Sequence, residues 1–284
     1  MDRFRDLVAA ELGETVEPRV AAMANAIAAR HGASSRAILF YGSCLRERQL
    51  DGLMLDFYLI VSDYRSAYTK RWMAATNRLI PPNVFPFEHD GLMAKYAVLS
   101  EADFDRLNGP ATRNVSVWGR FAQPSRLVWA SDDEARQRAI GAVARAAPTL
   151  LGAAGRDGGE DLLDWWRRAF ALTYSAELRA ERKGRSQSVV DADPERYRKF
   201  GEAAAPLVGG NAGDWGRRRI EGKTWSVLRL AKATATYAGG ADYIAWKINR
   251  HAGTKIVLKP WQRRHPLLAA ISLLPRLLRS GAIR

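Results

Sequence analysis

Residues 40–64 read FYGSCLRERQLDGLMLDFYLIVSDY and decide how the first part of the chain folds. The apolar segments 37–41 and 53–61 are short and rich in aromatic and β-branched residues, which predicts two neighbouring strands. A polar loop that begins with a Gly-Ser pair joins them. The second strand carries a carboxylate, Asp56, between large apolar side chains. Because aspartate is depleted in strands and an unpaired carboxylate is costly in apolar surroundings, something must balance this charge.

The residues around this stretch predict a small sheet with helices packed on it. The helical spacing of apolar residues predicts an amphipathic helix from Pro18 to Arg30. Two more short apolar segments, 94–100 and 125–130, predict strands. The Pro-rich segment 80–87 is predicted to be a connection, because proline interrupts regular structure.

Strand signals become sparse after residue 131, and helical patterns take over. Ser131, followed three residues later by Glu134, has the pattern of a helix start. Gly-rich breaks separate the predicted helices 133–151, 160–183, 194–208 and 223–238. The sequence therefore predicts an α+β fold, in which a small mixed sheet with flanking helices (1–130) precedes a helical domain (131–210) and a basic, Trp-rich helical tail (211–284).

The overall composition is typical of a soluble globular protein. Of the 284 residues, 47% are apolar and 26% are charged, and no apolar run approaches the roughly 18–20 residues of a membrane-spanning helix. The N-terminal sequence lacks the pattern of a secretory signal. A single cysteine, Cys44, excludes an internal disulfide and suits a reducing compartment. The four histidines are scattered and have no cysteine at zinc-ligand spacing, which argues against a histidine-based metal site.

The positive charge is concentrated in the last part of the chain. Residues 210–284 contain 15 Lys and Arg against three acidic residues, a local net charge of +12 out of +14 for the whole chain. This asymmetry predicts a polyanionic partner, either nucleic acid or an anionic membrane surface, although a merely solvated basic face remains an alternative.

The Gly-Ser pair and the carboxylate together indicate chemistry on phosphates. Gly42 lets the backbone approach a phosphate closely, and Ser43 offers a hydroxyl and an N–H group. Asp56 on the adjacent strand could then hold Mg²⁺ against those phosphates. This arrangement is similar to the nucleotidyltransferase superfamily, whose pattern is Gly-Gly or Gly-Ser, a short spacer and Asp-x-Asp. Here Met54 or Tyr58 takes the place of the second aspartate, and a surface turn beside a solvent-facing aspartate remains the alternative interpretation.

Further motifs narrow this resemblance to one family. The ordered set consists of YGS (41–43), MLDF (54–57), KYAVLS (95–100), WGRFAQPSRLV (118–128) and SAELR (175–179). This set resembles the mitochondrial translocator assembly and maintenance proteins, which are peripheral phosphatidate cytidylyltransferases (CDP-diacylglycerol synthases). The likeness runs through residues 36–200.

The chain also departs from the family pattern at several positions. Ala97 replaces a glycine, Gln123 replaces a lysine before Pro124, and Ala176-Glu177 replaces a Gly-Asp pair. Glu177 keeps a carboxylate but moves it outward by one methylene. Members of this family also carry only one aspartate in the strand motif, so the missing second aspartate does not argue against activity.

The resemblance implies a nucleotidyltransferase-like sheet and a Mg²⁺-dependent enzyme that transfers CMP from CTP to phosphatidic acid, giving CDP-diacylglycerol and pyrophosphate. It implies three sets of residues: nucleotide-binding Tyr41, Gly42 and Ser43; metal-binding Asp56 and Glu177; and catalytic Asp56, Lys95, Arg120, Glu177 and Arg179. The substrate supplies the attacking oxygen, so the protein mainly positions the partners and neutralises charge.

The basic tail suits a lipid substrate, which makes nucleic acid an unlikely partner. Its cations alternate with tryptophans, a mixture suited to anionic headgroups and the bilayer interface. The residues concerned are Arg217–Arg219, Lys223, Lys232, Lys247, Lys255, Lys259, Arg263 and Arg264, with Trp215, Trp225, Trp246 and Trp261. The apolar closing segment 266–284 could lie in the membrane interface or dock on the helical domain.

These features predict a cytoplasmic protein, peripheral on the inner face of the cell membrane and without an organelle-targeting peptide. Two rival functions remain open. One is a nucleotidyltransferase that acts on RNA or a small molecule, with the tail binding single-stranded RNA. The other is a non-catalytic protein that binds anionic lipids.

Overall fold

The computed structural model describes residues 2–46, 50, 52–177, 185–209, 213–236, 257, 259 and 260. Within these residues the chain forms a five-stranded mixed sheet with flanking helices and a largely helical second half. The predicted α+β fold is confirmed.

The sheet has the strand order β3-β4-β2-β1-β5. Its strands are β1 (Ser35–Tyr41), β2 (Met54–Val61), β3 (Asn83–His89), β4 (Leu92–Ser100) and β5 (Ser125–Ala130). β2 and β4 pair in parallel, and the other neighbours are antiparallel. β1 and β2 are direct neighbours, as the sequence predicted, and together with β4 they place the site in the middle of the sheet.

β3 is an element that the sequence analysis missed, because its segment was predicted to be a Pro-rich connection. Pro86 lies within this strand, opposite Lys95 of β4. β3 is at the edge of the sheet. An edge strand tolerates proline, since one side of it needs no backbone donor.

The helices surround this sheet. They are α1 (Asp2–Leu12), α2 (Pro18–His31), α3 (Tyr64–Ala67), α4 (Arg71–Leu79), α5 (Glu101–Asn108), α6 (Trp118–Phe121), α7 (Asp133–Ala144), α8 (Ala146–Ala154), α9 (Leu162–Ala176), α10 (Arg185–Asp191), α11 (Pro194–Ala204) and α12 (Trp215–Thr236). The helix predicted from Pro18 is confirmed as α2. The structure adds helices that the sequence analysis did not predict, namely α1, α3, α4, α5, α6 and α10.

Several predicted helix boundaries in the second half were wrong. The helix predicted over 133–151 is two helices, α7 and α8, because Pro148 in the first turn of α8 cannot donate a hydrogen bond to the preceding turn. The side chain of Asp132, rather than the predicted Ser131, caps α7 by accepting a hydrogen bond from the backbone N–H of Ala135. α12 begins at Trp215 instead of Lys223, just after Asp214 accepts a hydrogen bond from the backbone N–H of Arg217.

Apolar side chains pack on both faces of the sheet. Alternate residues of β1 point to opposite faces, so that Ile38 and Phe40 join one buried cluster with α2, whereas Leu39 and Tyr41 join the other. The second cluster continues through α7, α8, α9 and α11. The first helices after residue 131 therefore pack directly on the sheet, and a domain boundary at that position stays a prediction.

Candidate functional site

The register of the central strands brings three predicted site residues together. Asp56 of β2 lies opposite Tyr41 of β1 on one side and opposite Lys95 of β4 on the other. Residues in register on adjacent strands share a face of the sheet, and Tyr58, two positions after Asp56, joins them. This face carries the candidate site.

Lys95 provides the counter-charge that Asp56 requires. Its Nζ lies 2.7 Å from Asp56 Oδ1, and the two side chains are only 23% and 20% exposed. At this distance and with little solvent screening, the two charges stabilise each other. The ion pair explains how an apolar strand accommodates a carboxylate at this position.

The turn after β1 lies against the same carboxylate. Gly42 has φ +98°, and a Cβ atom built on it would lie 3.2 Å from Asp56 Oδ2. Glycine is therefore needed for its backbone angle and for the space. Ser43 is exposed and begins a short 3-10 turn, Ser43–Arg46. The turn thus presents its backbone beside Asp56, as a phosphate-binding turn requires.

The cysteine next to Ser43 has a structural position. Cys44 is buried, and its Sγ donates a weak hydrogen bond to the backbone carbonyl of Met54 at 3.5 Å. It is a free cysteine that packs as a small apolar side chain.

Arg120 lies over the ring of Tyr41, which packs with the rings of Tyr58 and Phe121. Its guanidinium carbon is 5.0 Å from the centre of the Tyr41 ring. The ring of Tyr58 lies 5.3 Å from that of Tyr41 and 5.1 Å from that of Phe121. α6 carries both Arg120 and the buried Phe121, so the packing of this short helix fixes the position of the cation. A guanidinium on an aromatic face is held by cation–π attraction.

The charges around Arg120 couple it to both predicted carboxylates. Burial acts to lower the pKa of Arg120, and the neighbouring Tyr41 and Tyr58 oppose that effect. The carboxylates of Glu177 and Asp56 act in the same direction as the tyrosines, so the pKa lies well above its ordinary value. Burial also raises the pKa of the Tyr41 hydroxyl well above its ordinary value, so this hydroxyl stays neutral beside Arg120.

Glu177 follows the last residue of α9 and is only 8% exposed. It acts electrostatically on Arg120 and also on Arg229 of α12. The structure therefore brings Tyr41, Gly42, Asp56, Lys95, Arg120 and Glu177 to one region. Arg179 lies outside the described residues.

Arg229 is a residue of this region that the sequence analysis missed. Its Nε donates to the backbone carbonyl of Pro81 at 2.8 Å, and its Nη1 donates to the hydroxyl of Ser116 at 2.9 Å. α12 is held in place near its start, where Glu221 pairs with Arg113 at 2.7 Å. The sequence shows only that α12 is basic, and nothing in its spacing distinguishes Arg229 from the solvated cations.

Two cations assigned to lipid headgroups face the protein instead, which corrects that part of the sequence analysis. Lys232 donates to the backbone carbonyls of Ile80 and Pro82, the latter at 2.7 Å. The guanidinium carbon of Arg218 lies 5.9 Å from the ring centre of Trp118 and 5.7 Å from that of Trp215. Lys232 binds backbone acceptors and Arg218 contacts aromatic rings because α12 packs against the protein along this side. The predicted headgroup contacts from 237 to 256 and from 261 onward lie outside the described residues.

The oxygen donors present suit magnesium more than a transition metal. The described part of the chain contains no group of three or more His, Cys, Asp or Glu side chains placed to hold a metal. Mg²⁺ is commonly bound by only one or two carboxylates together with substrate phosphates. Asp56 and Glu177 could supply these carboxylates, and Asp56 Oδ2 faces the Gly42 turn where phosphates would lie.

No protein-family model matches the sequence, and no curated protein matches it either. The resemblance to the translocator assembly and maintenance family therefore stays a prediction that depends on the motifs. Among the described helices, none combines the length and apolar character needed to cross a bilayer. The fold and site thus define a mixed α/β protein with a carboxylate, a glycine turn and several cations gathered on one face of its sheet.

Proposed function

We propose that this protein is a phosphatidate cytidylyltransferase, which uses CTP and phosphatidic acid to make CDP-diacylglycerol and pyrophosphate. The observation that supports it most directly is the position of Asp56. Its Oδ2 lies against Gly42 of the Gly-Ser turn, while its Oδ1 pairs with Lys95. A site for a nucleoside triphosphate needs a carboxylate, a cation and a turn whose backbone can approach the phosphates closely, and these three groups lie together here.

The reaction needs little covalent chemistry from the protein. A phosphate oxygen of phosphatidic acid attacks the α-phosphorus of CTP, a new P–O bond forms, and the bond to the β-phosphate breaks so that pyrophosphate leaves with the electron pair. Catalysis of such a transfer depends on alignment and on neutralising the charge that develops.

Each residue of the site has a role in this scheme. The backbone of Gly42 and Ser43 binds the β- and γ-phosphates, with the buried Tyr41 supporting the turn from below. Lys95 lies beside Asp56 and neutralises the leaving pyrophosphate, and Arg120 provides a planar cation for a phosphate. Magnesium, when bound, supplies charge neutralisation at the phosphates. Asp56 and Glu177 hold it in our proposal, and Arg179 is a further candidate cation.

The lipid substrate implies work at a membrane surface. α12 exposes Arg217, Arg219 and Lys223 next to Ile220, which is 72% exposed. Exposed cations with an interleaved apolar side chain suit an anionic bilayer interface. We therefore propose a cytoplasmic protein that binds the inner face of the cell membrane peripherally.

The test is transfer of label from α-phosphate-labelled CTP into chloroform-extractable lipid. The full chain is incubated with Mg²⁺ and vesicles of phosphatidylcholine containing phosphatidic acid. We expect labelled lipid from the wild-type protein and from D133N, because Asp133 is fully exposed in α7. We expect D56N to lose the activity.

Parallel reactions separate the rival functions. Label that remains aqueous under saturating Mg²⁺ and phosphatidic acid would exclude the proposed function. Label that moves instead to added RNA would favour a nucleotidyltransferase with another acceptor. Vesicle binding without any release of pyrophosphate would favour a non-catalytic lipid-binding protein.

A further inference from the structure

Two guanidinium groups come together at the segment that leads into α6, because Arg229 Nη1 donates to the Ser116 hydroxyl at 2.9 Å and Arg120 lies four residues further along. Arg120 comes from α6 and Arg229 from α12, and both are influenced by the same two groups, Tyr58 and Glu177. They also act on each other, because the charge of Arg120 adds to burial in lowering the pKa of Arg229. Two cations are therefore held close together against their mutual repulsion.

Each of these guanidiniums keeps a donor without a partner. Arg120 Nε and Arg229 Nη2 are out of contact with solvent and have no hydrogen-bond acceptor among the described residues. The remaining contacts hold both groups in place: Arg229 binds Pro81 and Ser116, and Arg120 lies on Tyr41. A buried N–H of a charged group left unpaired is costly, so donors fixed in this way indicate a missing acceptor.

The local charge also favours an anion. Asp56 is already paired with Lys95. Glu177 is then the carboxylate shared by Arg120 and Arg229. Among the described residues this leaves an excess of positive charge in a partly buried place, where a low dielectric strengthens both repulsion and the attraction of a ligand anion.

We infer that Arg120 and Arg229 form a subsite for a phosphate group, and that this group is the phosphomonoester of the acceptor. A guanidinium presents planar, paired donors that match phosphate oxygens. Arg229 is thereby a substrate-binding residue contributed by α12. The identity of the acceptor phosphate rests on the proposed function, whereas the phosphate subsite itself does not.

The strand register places Tyr58, which acts electrostatically on both arginines, on the opposite side of Asp56 from the glycine turn. β1 runs antiparallel to β2, with Tyr41 opposite Asp56 and Leu39 opposite Tyr58. Gly42 therefore continues away from Tyr58. Two residues along a strand span about 7 Å, so Tyr58 and the turn lie on either side of the carboxylate along the strand. An acceptor phosphate near Tyr58 and a pyrophosphate at the turn would meet the need of an in-line transfer for attacking and leaving groups on opposite sides of the reacting phosphorus.

Titration calorimetry with inorganic phosphate tests the subsite. We expect wild-type protein to bind phosphate and R229Q to bind it roughly tenfold more weakly or worse. The control R136Q should bind phosphate like wild type, because Arg136 lies on α7 with its side chain 48% exposed. Equal phosphate affinity for wild type and R229Q, or no binding by wild type, would overturn the subsite. Thermal unfolding checks that R229Q folds. S116A provides a second variant, because it removes one hydrogen bond that holds Arg229 but keeps its charge. We expect S116A to lose less phosphate affinity than R229Q.

Kinetics with CTP and phosphatidic acid vesicles then test which phosphate is bound. We expect R229Q to raise the KM for phosphatidic acid and to leave the KM for CTP unchanged. A raised KM for CTP alone would assign the subsite to the nucleotide and overturn the acceptor assignment. If wild type transfers no CMP but binds phosphate through Arg229, the proposed function fails and the subsite stands.

Discussion

Asp56 Oδ1 lies 2.7 Å from Lys95 Nζ, and the two residues are direct neighbours on the parallel strands β2 and β4. The sequence indicated that the Asp56 charge must be balanced, and the motif comparison selected Lys95 for a separate reason, as a cation near phosphates. The structure joins the two observations. Lys95 neutralises the carboxylate in the protein alone, so Mg²⁺ is not needed to explain why Asp56 lies in this strand.

The first prediction concerns the stability of this ion pair. We expect K95M to lower the free energy of unfolding by about 1–3 kcal/mol, less than for a fully buried pair, because Asp56 keeps some solvent contact. We expect the double variant D56N/K95M to regain part of that loss, since no unpaired charge remains. Urea denaturation of the four proteins measures the coupling. Additivity of the two single effects within about 0.5 kcal/mol would show that the pair contributes nothing.

The second prediction concerns the glycine turn. We expect G42A to cost about 1–3 kcal/mol of stability and to lose nucleotide binding, because its Cβ would meet Asp56 Oδ2 at a positive φ. Gly52 provides a matched control, since it also has a positive φ, +76°, but has open space around its Cβ position. G52A should therefore lose stability from backbone strain and retain affinity for CTP in calorimetry. Equal CTP affinity for G42A and wild type would contradict the assigned role of the turn.

The third prediction tests the planar character of Arg120. We expect R120K to lose roughly tenfold or more of kcat/KM for CMP transfer, although the charge is kept, because lysine cannot stack on Tyr41 and donate through a planar fork. R136K serves as the control, since Arg136 lies on α7 with its side chain 48% exposed. Retention of full activity by R120K would mean that a point charge is sufficient.

The fourth prediction concerns pH. Burial, assisted by the charge of Arg229, lowers the pKa of Lys232 from 10.5 to about 7. Between these two values the unfolded chain carries a proton on Lys232 that the folded chain lacks, so the contribution of Lys232 to stability rises with pH across this window. Below about pH 7 both states are protonated, and the destabilising effect of the buried ammonium is complete.

We therefore expect the free energy of unfolding of wild type to increase more steeply than that of K232M as the pH is raised from about 7 to about 10. Urea denaturation across this range measures the difference. K223M is the control, because Lys223 is exposed on the same helix, and it should follow wild type. Parallel curves for wild type and K232M would show that Lys232 titrates alike in both states.

The fifth prediction concerns the exposed basic face of α12. We expect R217Q/R219Q/K223Q to bind vesicles containing phosphatidic acid about 100-fold more weakly at low salt, since each cation near an anionic surface contributes about 1 kcal/mol. Co-sedimentation measures this affinity. The control R106Q/R136Q/R138Q removes the same charge from exposed positions on α5 and α7. An equal loss in both variants would indicate general attraction rather than a docking face on α12.

Local patterns predicted most of the sheet because they carry the physical cause of a strand or turn. The apolar segments around Gly42 and Asp56, and those at 94–100 and 125–130, formed strands as expected. β3 was missed because its tolerance of Pro86 depends on being at the sheet edge, and edge position is decided by the whole fold. The break between α7 and α8 was visible in Pro148, but the helical pattern on both sides obscured it.

The sequence by itself determined the glycine turn, the lone carboxylate in an apolar strand, the lysine motif, and the excess of positive charge late in the chain. These features depend on residue type and spacing along a few neighbouring positions. Only the tertiary structure decided that Lys95 balances Asp56, that Arg229 joins Arg120, and that Lys232 faces the protein. Such pairings depend on strand register and on the side of α12 that packs, because contacts between distant segments arise from burial of the whole molecule and not from local periodicity.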